Sequence, residues 1–484
     1  MISRRGTPAF VVFASLLACL FLKPKLTAPW IPMAVAAACV CAAVAFIAHG
    51  RPAVKRVGLF AGAAALGFLL GSILLAGMAR RAGSTALAVE AADVSSFTGT
   101  LVSDSVLTRE SRTALHVSLS LVESERIGVR GQARADALVI IAGDYRFSQG
   151  ERVSFQTGLE PFTGSGPEVF IAFADGSSVR SMGFSAPLWA IRARLRDGAH
   201  RSLERAGYPA SALLEALLIG SREDIPAELS EGFERTGSQH ILALSGLHAA
   251  VLYAVAAAFL GFFRNRRVTY VVATVALVFY QFIAGPIPSL LRATLMLAVG
   301  GAAALMDRDR EPLNLLCLSG ILILASDPYQ AWSLSFQLSF LAILGILAAA
   351  PWIARLLEGR VPPLLLAPLA LSAAAQIATF PVVTSAFGVY YPSGLIAGMI
   401  LVPMTTGFLW MGLAWLLVSP ILGGMLHHAS AVLFDGVYRA ILGSAATLAR
   451  LPGVEFPPRA APFVALLSAA VLLSFCLLPR RVDS

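Results

Sequence analysis

The chain has 484 residues, of which 57% are hydrophobic and 13% are charged, and its mean hydropathy is +0.75. Soluble proteins carry about 25% charged residues, so this composition excludes an ordinary soluble enzyme and indicates an integral membrane protein. The net charge of +9 comes mainly from arginine. It reflects either the excess of basic residues in cytoplasmic loops or a polyanionic partner.

Three apolar segments open the chain, at about residues 9–22, 29–48 and 57–78. About 20 apolar residues cross a bilayer, so we predict N-terminal transmembrane helices within residues 1–80. The first segment follows a basic N-terminus, as in a signal peptide. No small-residue cleavage site precedes Lys23, and we therefore expect a retained helix.

Residues 87–186 are more polar and contain alternating segments, such as residues 97–102, 115–122 and 152–156. Period-two alternation predicts strands, and about five of them suggest a small OB-like β-barrel. An open sheet cannot sit in hydrocarbon, so we expect this domain outside the membrane. Its 12 acidic residues outnumber its 8 arginines, which argues against a strong nonspecific clamp on nucleic acid.

A connector at residues 187–230 begins with an arginine-rich segment at residues 187–207 and continues with a short apolar stretch at residues 212–219. The plain interpretation of the first segment is an amphipathic helix in the membrane interface. The alternative is a guide surface for a polyanion. Its arginines are Arg192, Arg194, Arg196, Arg201 and Arg205.

Nine further apolar segments fill most of residues 238–480 and raise the expected number of transmembrane or membrane-associated helices to about twelve. Their approximate bounds are 239–263, 268–285, 288–306, 313–326, 334–350, 363–380, 394–418, 428–448 and 461–478. Basic loops favour the cytoplasm, which places both termini inside and the β-domain outside. The predicted fold class is a polytopic α-helical membrane protein with one inserted small OB-like β-barrel.

The cysteines predict neither a disulfide framework nor a metal site, because all lie in apolar runs without His or carboxylate partners. In such surroundings cysteine is a small buried hydrophobic residue. We expect no metal and no cofactor. The cysteines are Cys19, Cys39, Cys41, Cys317 and Cys476.

Polar or irregular positions within the apolar segments mark a candidate site, since polar groups in a membrane are costly unless they face protein or water. Arg292 is the most demanding of them, because its permanent charge requires a carboxylate, carbonyls, water or a phosphate. Asp327 is a candidate counter-ion. The other positions are His240, Ser245, Gly246, His248, Gly285, Ser289, Gln337, Ser339, Gln376 and Pro381.

A serine hydrolase is the enzymatic alternative, because Ser245-Gly resembles the nucleophile motif of rhomboid intramembrane proteases. However, Ala243 replaces the first glycine of that motif. A Ser245–His248 pair on one helix also lacks the oxyanion hole that acyl transfer requires. His240 and His248 are badly spaced to bind one metal from a single helix. We predict that the chain is not an enzyme.

Four ordered motifs carry a family resemblance. They are Gln239-His-Ile-Leu-Ala-Leu-Ser-Gly-Leu-His248, Gly285 to Ala293 with Ser289 and Arg292, Asp327-Pro328 with Phe336-Gln-Leu-Ser-Phe-Leu341, and Gln376 to Pro381. In this order and spacing they resemble the ComEC family of competence-type DNA uptake channels. The resemblance covers roughly residues 210–480 and, more weakly, residues 20–185.

The resemblance implies passage of single-stranded DNA across the cytoplasmic membrane, along a route lined by the site positions named above. It further implies a DNA receptor or pilus upstream and a cytoplasmic helicase downstream. Many members also carry a metallo-β-lactamase-like domain, whose His-x-His-x-Asp-His motif is absent here, so another protein would degrade the second strand. Gly398 stands near a position where the family often has Asn. The alternative function is transport of another anionic or lipid-linked solute.

Overall fold

The structure is a computed structural model that describes residues 8–22, 52–82, 86–108, 111–162, 169–242, 246–260, 266–285, 287–306 and 311–457. At some of these positions, including residues 52–60, only the backbone is described. The predicted segments at residues 29–48 and 461–478 lie outside these ranges. Cys39, Cys41 and Cys476 lie outside them too. Cys19 and Cys317 are buried free thiols.

The chain divides into two units. The helical unit comprises Met1–Ser72, Ser202–Phe279 and Ile287–Ser484. The β unit comprises Ile73–Arg201 together with the short segment Tyr280–Pro286.

Helices account for most of the described chain. They are α1 (Pro8–Leu22), α2 (Pro52–Ala82), α3 (Pro187–Glu204), α4 (Ala210–Leu218), α5 (Ala227–Arg235), α6 (Gly246–Leu260), α7 (Arg266–Ala284), α8 (Pro288–Leu305), α9 (Pro312–Ser326), α10 (Leu334–Leu357), α11 (Pro363–Phe387) and α12 (Gly394–Leu448). Two 3-10 turns, Gln239–Ile241 and Pro328–Trp332, precede α6 and α10.

Five of the described helical segments are long and apolar enough to cross a membrane: Ala61–Met78, Leu334–Leu357, Pro363–Phe387, Gly394–Ile421 and His428–Leu448. Shorter apolar helices cover Ala9–Phe21, Val268–Ala284, Ser289–Leu305 and Pro312–Ser326. The prediction of a largely helical membrane protein with a separate small sheet domain is therefore confirmed. The number of about twelve spans stays a prediction.

One predicted helix boundary is wrong. The segment at residues 239–263 is not one helix, because the 3-10 turn Gln239–Ile241 precedes α6, which begins at Gly246. The spans predicted at residues 394–418 and 428–448 agree with the two membrane-length segments Gly394–Ile421 and His428–Leu448, although both belong to the single helix α12, which continues through Pro403 and Pro420. A proline removes one helical hydrogen bond, yet in an apolar environment the helix still satisfies the remaining backbone groups.

Small residues bring helices of the helical unit close together. A Cβ added at Gly345 of α10 would lie 2.4 Å from the Cβ of Ala378 and 2.5 Å from the carbonyl oxygen of Ala374, both on α11. A Cβ added at Gly67 of α2 would lie 2.4 Å from the carbonyl oxygen of Val12 on α1. Close backbone approach of this kind is typical of helices that pack in lipid.

The β unit contains one sheet of nine strands. They are β1 (Ala86–Leu87), β2 (Ser96–Leu101), β3 (Val106–Leu107), β4 (Arg112–Ser124), β5 (Val129–Ala142), β6 (Glu151–Phe155), β7 (Glu160–Phe162), β8 (Val169–Asp175) and β9 (Val179–Phe184). The main path is β7-β8-β5-β4-β2-β6-β9, with β5 and β8 parallel. Within the described residues this path is open, so a closed barrel is not confirmed.

The alternation that predicted the strands also builds the core of the sheet. Inward residues of β2, β4, β5, β6 and β8 are buried in one hydrophobic cluster. Phe97 and Phe155 stack at its centre with ring centroids 4.9 Å apart. A second, minimal pairing joins β10 (Val389–Tyr390) to β11 (Val454–Glu455) in the helical unit.

A buried ion pair holds α3 in the β unit. Arg192 is fully buried, and its two terminal nitrogens each donate to a carboxylate oxygen of Asp104 at 2.7 Å. Its Nε donates to the carbonyl oxygen of Phe282 at 2.7 Å. Arg196 donates to the carbonyls of Ile283 and Ala284. The two guanidinium groups thus satisfy the final carbonyls of α7, which a helix leaves without partners.

This arrangement removes Arg192 from the exposed arginines expected in residues 187–207, while the interfacial helix and the guide surface stay predictions for that segment. The helix is present as α3, but Arg192 is not on an exposed amphipathic face. It is fully buried and each of its three side-chain nitrogens is bonded within the fold, so it does not contribute to a guide surface for a polyanion. Arg194 and Arg201 are the arginines of α3 that remain exposed.

We expect Asp104→Asn to lower the free energy of unfolding by about 3 kcal/mol, because it leaves the buried charge of Arg192 without a counter-charge. Asp93→Asn is the matched control. The two carboxylates are similarly exposed, at 24% and 26%, but the partner of Asp93, Arg126, is 84% exposed. Loss of that surface pair should cost about 1 kcal/mol or less. Denaturation of the purified full chain in detergent measures both changes.

The effect of Asp104→Asn should also depend on pH. Burial alone would raise the pKa of Asp104, but hydrogen bonds and charge from Arg192 and Arg196 and the backbone N–H of Gln149 hold this pKa below its ordinary value. The ionised carboxylate therefore stabilises the fold fully above the ordinary aspartate pKa of about 3.9. This stabilisation is lost as pH falls through the lowered pKa. Equal stabilities of wild type and variant at neutral pH would contradict the assignment.

Candidate functional site

Arg292 is a buried cation in an apolar helix of the helical unit. It lies in the second turn of α8, after Pro288 at the first helical position. Its residue surface is 5% exposed. Proline suits this position because its missing N–H has no helical partner there in any case. Pro288 therefore fixes the backbone at the start of α8. Arg292, in the next turn, is the first long polar side chain of this helix, and it is buried.

Two neighbours define the surroundings of the Arg292 guanidinium. A Cβ added at Gly246, the first described residue of α6, would lie 3.4 Å from Nη2 of Arg292. On another side, the guanidinium carbon lies 5.9 Å from the ring centroid of Phe340 on α10. Glycine therefore leaves space beside the cation, and an aromatic ring supplies a cation–π contact.

The ring of Phe340 is held by other aromatic residues. Phe336 stacks on it with ring centroids 4.2 Å apart, and Phe13 of α1 lies 5.5 Å away. Gly320 of α9 approaches this group so closely that an added Cβ would lie 2.4 Å from Phe13 and 2.9 Å from Phe340. The wall beside Arg292 is thus a packed aromatic cluster with little freedom to move.

The charge of Arg292 is not balanced within the described part of the chain. Its Nε and Nη1 are buried without hydrogen-bond partners, and these atoms carry three of the five N–H donors of an arginine. Burying an ion costs several kcal/mol even after relaxation. One cation–π contact offsets only about 0.5–2 kcal/mol of this cost. The arrangement can therefore bind an anion.

Asp327 is not the counter-ion that the sequence suggested. Its carboxylate caps the turn Pro328–Trp332, where it accepts from the backbone N–H of Tyr329 and from Nε2 of Gln330. Gln337 serves the same turn, since its Nε2 donates to the carbonyl of Ala331 at 3.0 Å. The Asp-Pro and Phe-Gln-Leu-Ser-Phe motif thus builds the connection between α9 and α10.

Gln376 belongs to a second polar cluster, in the middle of α11. Its Oε1 accepts from the hydroxyl of Tyr390 at 2.6 Å, and its Nε2 donates to Ser372. Two glycines of α12 pack here. A Cβ added at Gly394 would lie 3.6 Å from Gln376, and a Cβ added at Gly398 would lie 3.3 Å from the Ser372 hydroxyl. The position where the ComEC family often has Asn therefore adjoins this cluster.

Pro381 lies in the same helix, one turn beyond Gln376. The hydroxyl of Thr384 donates back to the carbonyls of Phe380 and Pro381 at 2.9 and 3.2 Å. Such back-bonding of a threonine hydroxyl to the preceding turn competes with the helical pattern, and the carbonyl that Pro381 itself leaves without a helical donor is that of Ile377.

The remaining predicted positions are dispersed. His240 is exposed in the 3-10 turn before α6. Gly285 belongs to the β unit, where its φ of +104° favours glycine and an added Cβ would lie 3.4 Å from Nη2 of Arg192. Ser289 and Ser339 are half-buried on α8 and α10. Ser245 and the side chain of His248 lie outside the described residues.

The comparisons with known proteins agree with these motifs. A family model described as "Competence protein" matches residues 217–482, which is more than half of the chain. The chain belongs to the competence protein family. The match contains Arg292, its neighbours Gly246 and Phe340, and the Gln376 cluster. The β unit up to Arg201 precedes it.

Three relatives share shorter regions with this competence family chain. "ComE operon protein 3" of Bacillus subtilis (strain 168) is 32% identical over 133 residues, 27% of this chain and 17% of that protein. An uncharacterized protein of Aquifex aeolicus (strain VF5) is 35% identical over 134 residues, 27% of this chain and 32% of its own length. The uncharacterized protein YcaI of Escherichia coli (strain K12) is 26% identical over 239 residues, 47% of this chain and 30% of that protein.

The aligned regions span less than a third of each relative's length. No solved structure matches the chain.

Two residues of these clusters were not among the predicted site positions. Phe340 belongs to the Phe336–Leu341 motif, but its place beside Arg292 follows from the packing of α10 against α8. Tyr390 is in the two-residue strand β10, and its contact with Gln376 joins that strand to α11. Spacing along one helix identifies neither contact, since each joins residues from different elements.

We expect Tyr390→Phe to lower the free energy of unfolding by about 1 kcal/mol, because Oε1 of Gln376 then no longer accepts a hydrogen bond from the hydroxyl of residue 390. Tyr391→Phe is the matched control, since no described residue is hydrogen-bonded to the hydroxyl of Tyr391. It should change stability by less than half as much. Thermal or denaturant unfolding of both variants measures the difference. Equal effects would show that the Gln376–Tyr390 bond contributes nothing of its own.

Proposed function

We propose that this protein carries single-stranded DNA across the cytoplasmic membrane during natural transformation. Membership of the competence protein family supports a role in DNA uptake. The observation that carries the finer proposal is Arg292, a buried cation with two unpartnered nitrogens in a helical membrane unit. A permanent charge that the described chain leaves without a counter-ion suits an anionic cargo, and DNA carries one negative charge per phosphate.

The proposal assigns the protein a transport role and no catalysis. The described neighbours of the Arg292 guanidinium are a glycine and an aromatic cluster, which position the cation but do not activate a nucleophile. Among the described residues no cluster of three or more His, Cys, Asp or Glu side chains is suited to hold a metal ion. Energy for translocation would then come from partners, which we propose to be an upstream DNA receptor or pilus and a cytoplasmic helicase.

We further propose that the protein lies in the inner membrane with both termini in the cytoplasm and the β unit outside. The β unit is proposed to be OB-like. The meander β2-β4-β5, the parallel partner β8 and the antiparallel partner β6 support that assignment. OB-folds bind single strands through a basic groove with aromatic platforms, and the acidic balance of this unit favours weak guidance over tight binding.

Deletion of the coding sequence, followed by complementation, tests the proposed function. We expect loss of transformation by both double-stranded and single-stranded donors, because the membrane step follows strand separation. Labelled donor DNA should remain outside the cytoplasm in the deletion strain. Undiminished cytoplasmic entry would contradict the proposal and would favour transport of another anionic solute. Loss with double-stranded donor alone would place the protein at strand preparation instead.

A further inference from the structure

We propose that Arg292 and the space beside Gly246 form a discrete binding position for one phosphodiester group of the DNA strand. This inference rests on the proposed function, since it takes the transported strand as the ligand. It adds the location of the contact and the chemical group that is bound.

Arg192 is also buried, and its contacts show how the described chain provides hydrogen-bond partners for a buried guanidinium. Arg192 uses Nε, Nη1 and Nη2 together, on Asp104 and on the carbonyl of Phe282. Arg292 is almost as deeply buried, yet its Nε and Nη1 have no partner. Because the described residues supply partners for one buried guanidinium and not for Nε and Nη1 of the other, the geometry points to an external anion at Arg292.

The neighbours of Arg292 favour a phosphate over a base. The face of Phe340 is already directed at the guanidinium, at 5.9 Å, and Phe336 stacks on the same ring. These rings therefore position the cation and are not free to stack on a base. Gly246 adjoins Nη2, which an added Cβ would touch at the ordinary contact distance of 3.4 Å. Guanidinium groups are well suited to phosphate oxygens, which accept charge-assisted hydrogen bonds.

A single cation also suits a strand that has to move. Conduction requires binding that is strong enough for entry and weak enough for release. A cluster of arginines would hold a polyanion firmly, whereas one guanidinium binds successive phosphates one at a time. The aromatic contact with Phe340 would hold the side chain in place between these events.

The test is equilibrium binding of a fluorescent oligothymidylate to the purified full chain in phosphatidylcholine nanodiscs, at several salt concentrations. We expect Arg292→Gln to weaken binding about tenfold, the effect of losing one charge-assisted contact. It should also reduce the slope of log K against log salt by about 0.7, the value for one phosphate of a single strand. A methylphosphonate oligonucleotide, which lacks the charge, should bind wild type and variant equally.

Three further variants separate charge from space. Arg292→Lys should keep the salt slope of wild type with a smaller loss of affinity, because its charge remains. Gly246→Ala should weaken binding without changing the slope, because a methyl group then covers Nη2. Arg439→Gln is the control, since this arginine is 76% exposed and already paired with Asp435 at 2.7 Å; it should leave both quantities unchanged.

The outcomes distinguish this inference from the proposed function. If wild type fails to bind the oligonucleotide, the proposed function itself is contradicted. If wild type binds and Arg292→Gln has the same affinity and slope, only the phosphate position is wrong. If Arg292→Gln unfolds, Arg292 is a structural cation with a partner in the folded chain, and the inference fails. If phosphatidylglycerol nanodiscs abolish the difference and native mass spectrometry finds that lipid retained by wild type alone, a lipid phosphate occupies the position.

Discussion

The need to balance buried guanidinium charge governs both units of this protein. In the β unit, Arg192 and Arg196 are balanced by Asp104 and by the last carbonyls of α7. A helix end, a loop carboxylate and α3 are thereby fixed by one network. In the helical unit, Arg292 has an aromatic neighbour but no counter-charge among the described residues. The first arrangement stabilises a fold, and the second leaves a cation available to an anionic ligand.

The helical unit holds this cation in place by packing of small and aromatic residues. Gly320 and Gly345 permit close helix contacts, and the phenylalanine cluster around Phe340 fixes one side of Arg292. The neighbouring polar groups are occupied elsewhere, because Asp327 caps a turn and Gln376 binds Tyr390. Membership of the competence protein family agrees with this division, since the matched residues 217–482 contain the cation and both polar groups.

Local patterns in the sequence predicted much of the architecture, but they did not predict contacts between residues far apart in the chain. The strands β2, β4 and β6 follow from alternation, and α4 follows from an apolar run. The boundary error at residues 239–263 arose where a 3-10 turn precedes α6 within an apolar run, and hydropathy did not reveal that α12 continues through two prolines between its two spans. The Asp104–Arg192 pair joins residues 88 positions apart, and no periodicity reveals such a contact. Arg292 was identified because an arginine in an apolar helix is costly wherever it lies.

Cytoplasmic entry of labelled single-stranded DNA in cells that produce Arg292→Gln tests the central claim most directly. The variant protein should reach the membrane in normal amount, because the substitution removes a buried charge that no described residue balances. The account predicts that DNA accumulates outside the cytoplasm in these cells, as in a deletion strain. Entry at the wild-type rate, with the variant as abundant as wild type, would contradict the account.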